Sequence, residues 1–434
     1  MPHISNKFHL LALGLVLALA AFFRFWAAPL SAGPDVSQFW AFAKLFQLHG
    51  LDFYRYADGN AAICPFKGWG FVYPPLWLLI SRLALMAAPT SAATDIMVDS
   101  SWRLAMKTPV IVADLAIGCL LYWAVPGSKS RKLLFASLWL FHPTGWYESA
   151  VFGQFDAVAA ALLLAAIILL ERNRDRLAFL LAGLAILTKQ HTLIPIALMV
   201  VICARHMNWQ RLVSNCAIIT GVVLLFSLPF LFTGNFSSYA RSFFLPGQAP
   251  GYQSPLMYAF SGSGALLTYL HDVFGWGTSG FLPFTVPIMA IAILAALVFS
   301  YLRAITPAQG ALVGFLIFIS LSYQVHYQYL IIYIPIALLV ASRTQYRSER
   351  VLAIVLALLP AVWLWLFDVS FWFNYLNPKN PQVTSILARI GLTHIVPDYA
   401  YVSLALVLMS LFLAYVVCTL RRRDFREGLR PSLT

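Results

Sequence analysis

The sequence predicts an all-α membrane protein, a polytopic bundle of about 12–13 helices. Of its 434 residues, 61% are hydrophobic and 10% are charged, and the mean hydropathy is +0.79. Soluble domains carry roughly a quarter charged residues, so a surface this apolar is expected to face lipid. We expect a single transmembrane domain, 1–434, built on apolar runs that begin near Phe8, Leu104, Leu133, Asp156, Leu177, Thr192, Leu212, Phe281, Pro307, Val325, Val351 and Tyr399.

The net charge of +13 indicates an orientation in the membrane rather than a nucleic-acid partner. Basic residues concentrate in short links between the apolar runs, which is the positive-inside pattern, and anionic lipid headgroups are their natural counterions. These links, and a tail at about 421–434, are therefore predicted to be cytoplasmic. The basic links are 128–132, 171–176, 205–211, 343–350 and 421–423.

The remaining links are predicted to lie outside and hold much of the chain's Asp, His, Trp, Tyr and Pro. The first extracytoplasmic loop, about 29–70 and possibly to 102, is expected to carry short surface helices. A second large loop covers about 233–282. The apolar run 73–88 begins at a Pro-Pro pair, and the parity of the spans places it in the first loop as a non-crossing helix. Arg103 and Lys107 argue the other way, since cations prefer the cytoplasmic side.

Asp35 is the first candidate for chemistry, in the segment Gly-Pro-Asp-Val-Ser-Gln-Phe-Trp that ends at Trp40. A carboxylate beside a membrane helix end is suited to orienting a hydroxyl and accepting its proton. Asp before a helix start is also a common N-cap, and physical reasoning alone favours that interpretation. Phe39, Trp40, Phe42 and Phe46 are expected on the membrane side of this helix.

A second polar group lies where one apolar run ends and the next begins: Glu148, Gln154 and Asp156. Asp156 could serve only the positive end of the entering helix. Polar side chains among aromatic residues are also what a sugar ring needs, with hydrogen bonds at its edge and stacking on its face. The residues leave these two interpretations equally open.

Two further motifs are predicted at the same face, Lys189-Gln190 and the pair His326 and Tyr329. A lysine outside, against the positive-inside trend, suggests a bound anion, and snorkelling to the surface is the alternative. A lone histidine is more often structural than a ligand. Its predicted position on the same face as Asp35 and Lys189 favours a role in the site.

In chain order these segments resemble the dolichyl-phosphate-glucose glucosyltransferases of asparagine-linked glycosylation and, more broadly, the GT-C-fold glycosyltransferases. Bacterial mannosyltransferases related to glycosylphosphatidylinositol assembly enzymes share a Gly-Gln-x-Asp turn and are close rivals. The motifs that carry the resemblance are the Gly-Asp-like segment at Asp35, Trp-Gly…Tyr-Pro-Pro-Leu at 69–76, Phe-Gly-Gln-Phe-Asp at 152–156, Lys189-Gln190, Arg-Ser-Phe-Phe-Leu-Pro at 241–246 and Val325-His326.

The resemblance implies an inverting hexosyltransferase that takes glucose or mannose from a polyprenyl- or dolichyl-phosphate sugar and passes it to a lipid-linked or glycan acceptor outside the membrane. It implies Asp35 as the catalytic base and His326, Arg241 and Lys189 near the donor phosphate. No cofactor or metal is expected, and no Asp-x-Asp pair occurs in the outer segments. The residues expected at the sugar or acceptor are Trp40, Tyr73, Glu148, Gln154, Asp156, Gln190 and Tyr329.

The sequence also departs from the glucosyltransferases, which leaves the sugar and the acceptor open. Their Arg-Gly…Glu-Asp-Lys stretch is missing from 247–260, and Tyr327 replaces an acid after the histidine. The alternatives are a lipid-linked-sugar flippase or transporter and a non-catalytic subunit that binds lipid-linked sugar. A transporter is expected to show related halves, which the sequence lacks. The short loops favour a bacterial inner membrane over the endoplasmic reticulum.

Overall fold

The computed structural model describes residues 6–89, 99–233, 236–244, 262–303, 305–322, 325, 327–363 and 398–421. All regular structure in these ranges is helical, which confirms the predicted all-α class. The α-helices are α1 (Asn6–Ala27), α2 (Pro34–His49), α3 (Pro75–Ala87), α4 (Ser100–Ala124), α5 (Lys129–Leu140), α6 (Pro143–Trp146), α7 (Asp156–Leu170), α8 (Asp175–Thr188), α9 (Leu193–Ala204), α10 (Trp209–Leu231), α11 (Phe236–Phe244), α12 (Gly262–Phe274), α13 (Leu282–Leu302), α14 (Pro307–Leu321), α15 (Leu330–Arg343), α16 (Arg347–Trp363) and α17 (Asp398–Leu420).

Five helical stretches in the described part of the chain are long and apolar enough to cross a bilayer: Lys7–Leu30, Ser100–Ala124, Trp209–Leu231, Phe284–Leu302 and Val402–Leu420. This confirms a polytopic membrane bundle. Other apolar helices, α3, α7, α14 and α15 among them, are shorter. At 1.5 Å per residue they rise about 20–23 Å, less than the roughly 30 Å of a hydrocarbon core.

Helix α4 lies at the centre of the first half of the bundle and packs against α1, α5 and α7. A buried polar network joins α1, α4 and the turn at 147–152 that precedes α7. Nε of Arg24 lies 2.6 Å from Oδ2 of Asp114, and the Ser149 hydroxyl donates to the same oxygen at 2.6 Å. Removing one partner would leave the other charge buried and unpaired, which is strongly destabilising. The pair therefore fixes α1 against α4.

The two ends of the bundle differ in character. At one end, His9 of α1 lies 3.4 Å from Ser130, and Arg343 pairs with Glu171 in the predicted cytoplasmic links. At the other end, the Arg103 guanidinium donates to the Pro29 carbonyl at 2.9 Å, so α4 begins where α1 ends. The first loop therefore starts and returns at one end, as expected if α3 does not cross.

The structure contradicts the expectation that the aromatic residues of α2 face the membrane. The Phe39 ring packs against the rings of Trp77 and Phe155, with centroids 5.6 Å away in each case. The chain after α2 folds back over it, so this helix forms the core of the loop rather than an amphipathic surface helix. The residues concerned are Phe39, Trp40 and Phe42, which are buried, and Phe46, which is partly buried.

Candidate functional site

Asp35 lies in the first turn of α2, where it does not act as the predicted N-cap. The capping position belongs to Gly33, and no side chain caps this helix end. The Asp35 carboxylate instead accepts a hydrogen bond from Nε2 of Gln154. Asp35 remains partly exposed, whereas Gln154 is buried. A carboxylate with one oriented oxygen and access to solvent can still reach a substrate.

Gly33 brings the Asp35 segment into direct backbone contact with the turn before α7. Its amide donates to the Phe152 carbonyl at 2.8 Å. A Cβ at this position would lie 2.7 Å from that same oxygen, a distance that Cβ atoms essentially never show. Only glycine permits this approach, which fixes Asp35 beside Gln154.

The turn that carries Gln154 is unusual. Residues Tyr147–Phe152 form a π-helical turn, ended by Gly153 in the left-handed conformation with φ +84°. The amides of Gly153 and Gln154 both donate to the Glu148 carbonyl at 2.9 Å. Single π-helical turns inside helical proteins occur frequently at functional sites. This one directs Gln154 towards Asp35 and buries the Glu148 side chain.

A buried ion pair lies next to Asp35. Nζ of Lys189 is 3.1 Å from Oδ2 of Asp156, and each side chain is 1% exposed. Lys189 therefore does not snorkel to the surface, and the anion beside it in this structure is Asp156. Its Nζ also lies over the rings of Phe155, Tyr73 and Tyr329, at 4.3, 4.6 and 5.2 Å from their centroids. Asp156 occupies the first turn of α7, as the helix-dipole interpretation predicts.

Burial and the neighbouring groups together set the pKa of Asp35. Burial raises the pKa of the Asp35 carboxyl from 3.8 to about 6. The positive charge of Lys189 lowers it, the negative charge of Asp156 raises it, and the hydrogen bond from Gln154 lowers it. At neutral pH Asp35 is therefore ionised but more basic than an ordinary aspartate, the state that a general base requires.

Gln190 and Tyr329 border this cluster on the side of α14 and α15. The Gln190 amide donates to the Val72 carbonyl at 2.9 Å, beside Tyr73. The His191 ring lies 4.6 Å from the Tyr329 ring and stacks on Phe318 at 5.2 Å. His191 was not among the predicted site residues, although it follows the Lys-Gln motif directly.

The structure thus brings most of the described site residues together, with exceptions. Trp40 is buried on α2 with the Lys44 ammonium 6.0 Å from its ring centroid, and its indole Nε1 has no hydrogen-bond partner among the described residues. Arg241 belongs to α11, but its side chain lies outside what the structure describes. His326 also lies outside the described residues. Those brought together are Asp35, Tyr73, Glu148, Gln154, Asp156, Lys189, Gln190 and Tyr329.

Sequence reasoning missed the residues that join the two segments, namely Gly33, Gly153 and Lys107. Lys107 carried a signal, because it contradicts the positive-inside trend. Among the described residues, no three His, Cys, Asp or Glu side chains are grouped to hold a metal ion.

The profile of glycosyltransferase family 87 matches residues 71–325, more than half of the chain. The chain belongs to glycosyltransferase family 87. This confirms the prediction of a membrane glycosyltransferase. The match covers Glu148, Gln154, Asp156 and Lys189 of this family 87 enzyme, while Asp35 precedes it. A search of curated proteins finds no match to the chain.

Proposed function

We propose that this family 87 enzyme transfers a hexose, glucose or mannose, from a polyprenyl- or dolichyl-phosphate sugar to a lipid-linked or glycan acceptor at the extracytoplasmic face. The observation that carries the proposal is the Asp35 carboxylate, partly exposed, oriented by Gln154 and placed beside the buried pair of Lys189 and Asp156. Sugar transfer to a hydroxyl needs such a base next to fixed charges.

The proposed reaction is a direct displacement at the anomeric carbon. Asp35 orients the acceptor hydroxyl and takes its proton as the oxygen attacks. A bond forms between the acceptor oxygen and the anomeric carbon, and the bond from that carbon to the phosphate oxygen breaks. The electron pair leaves with the polyprenyl phosphate, and the anomeric configuration inverts.

Negative charge grows on the departing phosphate, so fixed cations near it accelerate the reaction. Lys189 is our candidate among the described side chains, with Arg241 and His326 proposed from the resemblance. Because Lys189 already pairs with Asp156 at 3.1 Å, it would divide its interaction between the carboxylate and the phosphate. The rings of Tyr73, Phe155 and Tyr329 next to its Nζ keep water away from the ammonium group.

The sugar and acceptor contacts are proposed on the same cluster. Tyr73 and Tyr329 offer aromatic faces for a pyranose ring, and Gln190 and Glu148 offer polar groups for its hydroxyls. Asp156 and Gln154 also belong to this proposed set, with Gln154 acting through Asp35. Trp40 is proposed from the sequence alone.

The distribution of charge supports the side of the membrane that we propose. The cluster lies at the end of the bundle opposite the basic links, and basic links favour the cytoplasm. A nucleotide sugar is multiply charged and costly to move through hydrocarbon. A sugar on a lipid phosphate is anchored in the membrane itself, which favours a lipid-linked donor for a site on that side. We place the enzyme in a bacterial inner membrane.

A donor panel tests this proposal. Purified protein in vesicles is incubated with polyprenyl-phosphate mannose, polyprenyl-phosphate glucose, a guanosine-diphosphate sugar and a uridine-diphosphate sugar, together with a membrane-lipid acceptor extract. We expect product only from a polyprenyl-phosphate hexose, with an inverted anomeric centre by NMR. Product from a nucleotide sugar alone would contradict the donor assignment. Movement of labelled lipid-linked sugar between leaflets without product would instead support a flippase, and binding alone a non-catalytic subunit.

A further inference from the structure

Lys107 is a buried lysine whose amino group contacts four backbone carbonyls and, at 3.5 Å, the Ser31 hydroxyl. It lies in the second turn of α4 and its side chain is 0% exposed. Its Nζ is 3.1 Å from the carbonyl oxygen of Ala28 and 2.5 Å from that of Ser31. It is also 2.9 Å and 2.8 Å from the carbonyl oxygens of Ala150 and Val151. The amino group therefore contacts backbone carbonyls of two separate parts of the chain at once.

The two groups of carbonyls belong to the two halves of the candidate site. Ala28 and Ser31 lie in the short stretch of chain that leads from α1 to Asp35. Ala150 and Val151 are in the π-helical turn that leads to Gln154. We propose that Lys107 is a positioning residue, whose amino group ties the Asp35 segment to the Gln154 turn and so sets the contact between those two side chains.

Gly153 shows that the lysine stem and the turn are fitted to each other. A Cβ on Gly153 would lie 2.8 Å from Cε of Lys107 and 2.7 Å from Cγ2 of Val36, the residue after Asp35. The lysine stem fills the space that a side chain at 153 would need. A substitution of Lys107 or of Gly153 therefore displaces the same contact, the one between Asp35 and Gln154.

Arg103 provides a comparison on the same helix. It lies one turn before Lys107 and donates to the carbonyl of Pro29, in the residues that lead to Asp35. The contacts of Lys107 with Ala150 and Val151 in the π-helical turn are made without Arg103. A variant of Arg103 therefore removes a cationic side chain from α4 while the contacts of the Lys107 amino group with both parts of the chain stay in place.

The inference rests on the proposed role of Asp35, so its test needs a readout that works without transferase activity. The pH dependence of stability supplies one. Burial raises the pKa of Asp35 from 3.8 to about 6, so the folded protein favours the protonated carboxyl. Stability relative to Asp35→Asn is then greatest below 3.8, falls as the pH rises through about 6, and is constant above.

The experiment measures Tm against pH for the wild type, Lys107→Met, Gly153→Ala and Arg103→Gln, each with and without Asp35→Asn. The quantity compared is the pH at which the difference in Tm between the form with Asp35 and the form with Asp35→Asn changes. The hydrogen bond from Gln154 lowers the pKa of Asp35, so losing it moves the transition to higher pH. We expect that move in Lys107→Met and in Gly153→Ala, and no move in Arg103→Gln. Asp156 and Lys189, the charged groups facing Asp35 from α7 and the end of α8, are unchanged in all three.

Activity gives the second readout. If Lys107 positions the base, Lys107→Met and Gly153→Ala lower kcat about 10²-fold, the loss typical of a misplaced catalytic group, and leave KM unchanged. Where Lys107→Met does not fold, Gly153→Ala carries the test, since it keeps the lysine. If the pH of the Asp35-dependent change in Tm is the same as in the wild type for both variants, the inference is overturned, whatever donor the enzyme uses. A moved transition without any transfer would uphold it and count against the proposed function instead.

Discussion

The side-chain amide of Gln154 donates a hydrogen bond to the carboxylate of Asp35, 119 positions away in the chain. This bond joins the start of α2 to the turn before α7. The side-chain amide does not titrate, so its ability to donate this hydrogen bond does not depend on pH. The candidate base is thus held by a neutral donor and flanked by one charge of each sign.

The first prediction concerns the pH dependence of transfer. The pKa of Asp35 lies at about 6 because of burial, and a base acts in its ionised form. The value of kcat/KM should therefore rise with pH through about 6 and level off above. Removing the donor with Gln154→Leu should move this limb to higher pH, because the hydrogen bond favours the ionised carboxylate. A limb that stays in place in Gln154→Leu would show that the bond does not act on the titrating group.

The second prediction concerns the pair of Lys189 and Asp156. Both are 1% exposed, so Lys189→Met or Asp156→Asn alone should lower the free energy of unfolding by about 3–5 kcal/mol. The double variant should lose much less than the sum, measured by denaturant unfolding in detergent. Additive losses would contradict a direct pairing.

The same double variant separates two roles of Lys189. If Lys189 also binds the donor phosphate, the double variant recovers stability but not donor affinity, measured by binding of a polyprenyl-phosphate sugar to the vesicle-bound protein. Recovery of both would make Lys189 a partner of Asp156 only.

The third prediction concerns the close approach at Gly33. Gly33→Ala places a Cβ 2.7 Å from the Phe152 oxygen, so the Asp35 segment must move away from the turn. We expect kcat to fall about 10²-fold. Gly14→Ala is the matched control, because a Cβ at Gly14 meets nothing within 4 Å. Equal activity of the two variants would mean that the approach does not position the base.

The sequence predicted the fold class because hydrophobic runs and basic links are properties of single segments. It also predicted that four distant segments meet, and in the structure Asp35, Asp156, Lys189 and Tyr329 lie near one another or share neighbours. Their role in catalysis stays a prediction. It was wrong about the setting of Asp35 and of the α2 aromatic residues. An N-cap and an amphipathic face are local patterns, whereas the real partners are distant in the chain.

The joining residues could not be predicted for the same reason. Lys107 acts through backbone carbonyls, which carry no sequence signature, and Gly33 matters only because Phe152 approaches it. A cation that breaks the positive-inside trend was the one available sign. In a bundle of this kind, such a cation is worth testing as a backbone ligand before it is assigned to a substrate.

The central claim is that Asp35 is the base of a lipid-linked sugar transfer. Its most direct test compares Asp35→Asn with Asp52→Asn, the same change at an exposed carboxylate of the same loop. The measurement is single-turnover transfer from the polyprenyl-phosphate hexose that the donor panel identifies. The account predicts a loss of about 10²–10⁴-fold for Asp35→Asn, with donor binding kept, and wild-type rates for Asp52→Asn. Equal rates for the two variants would contradict it.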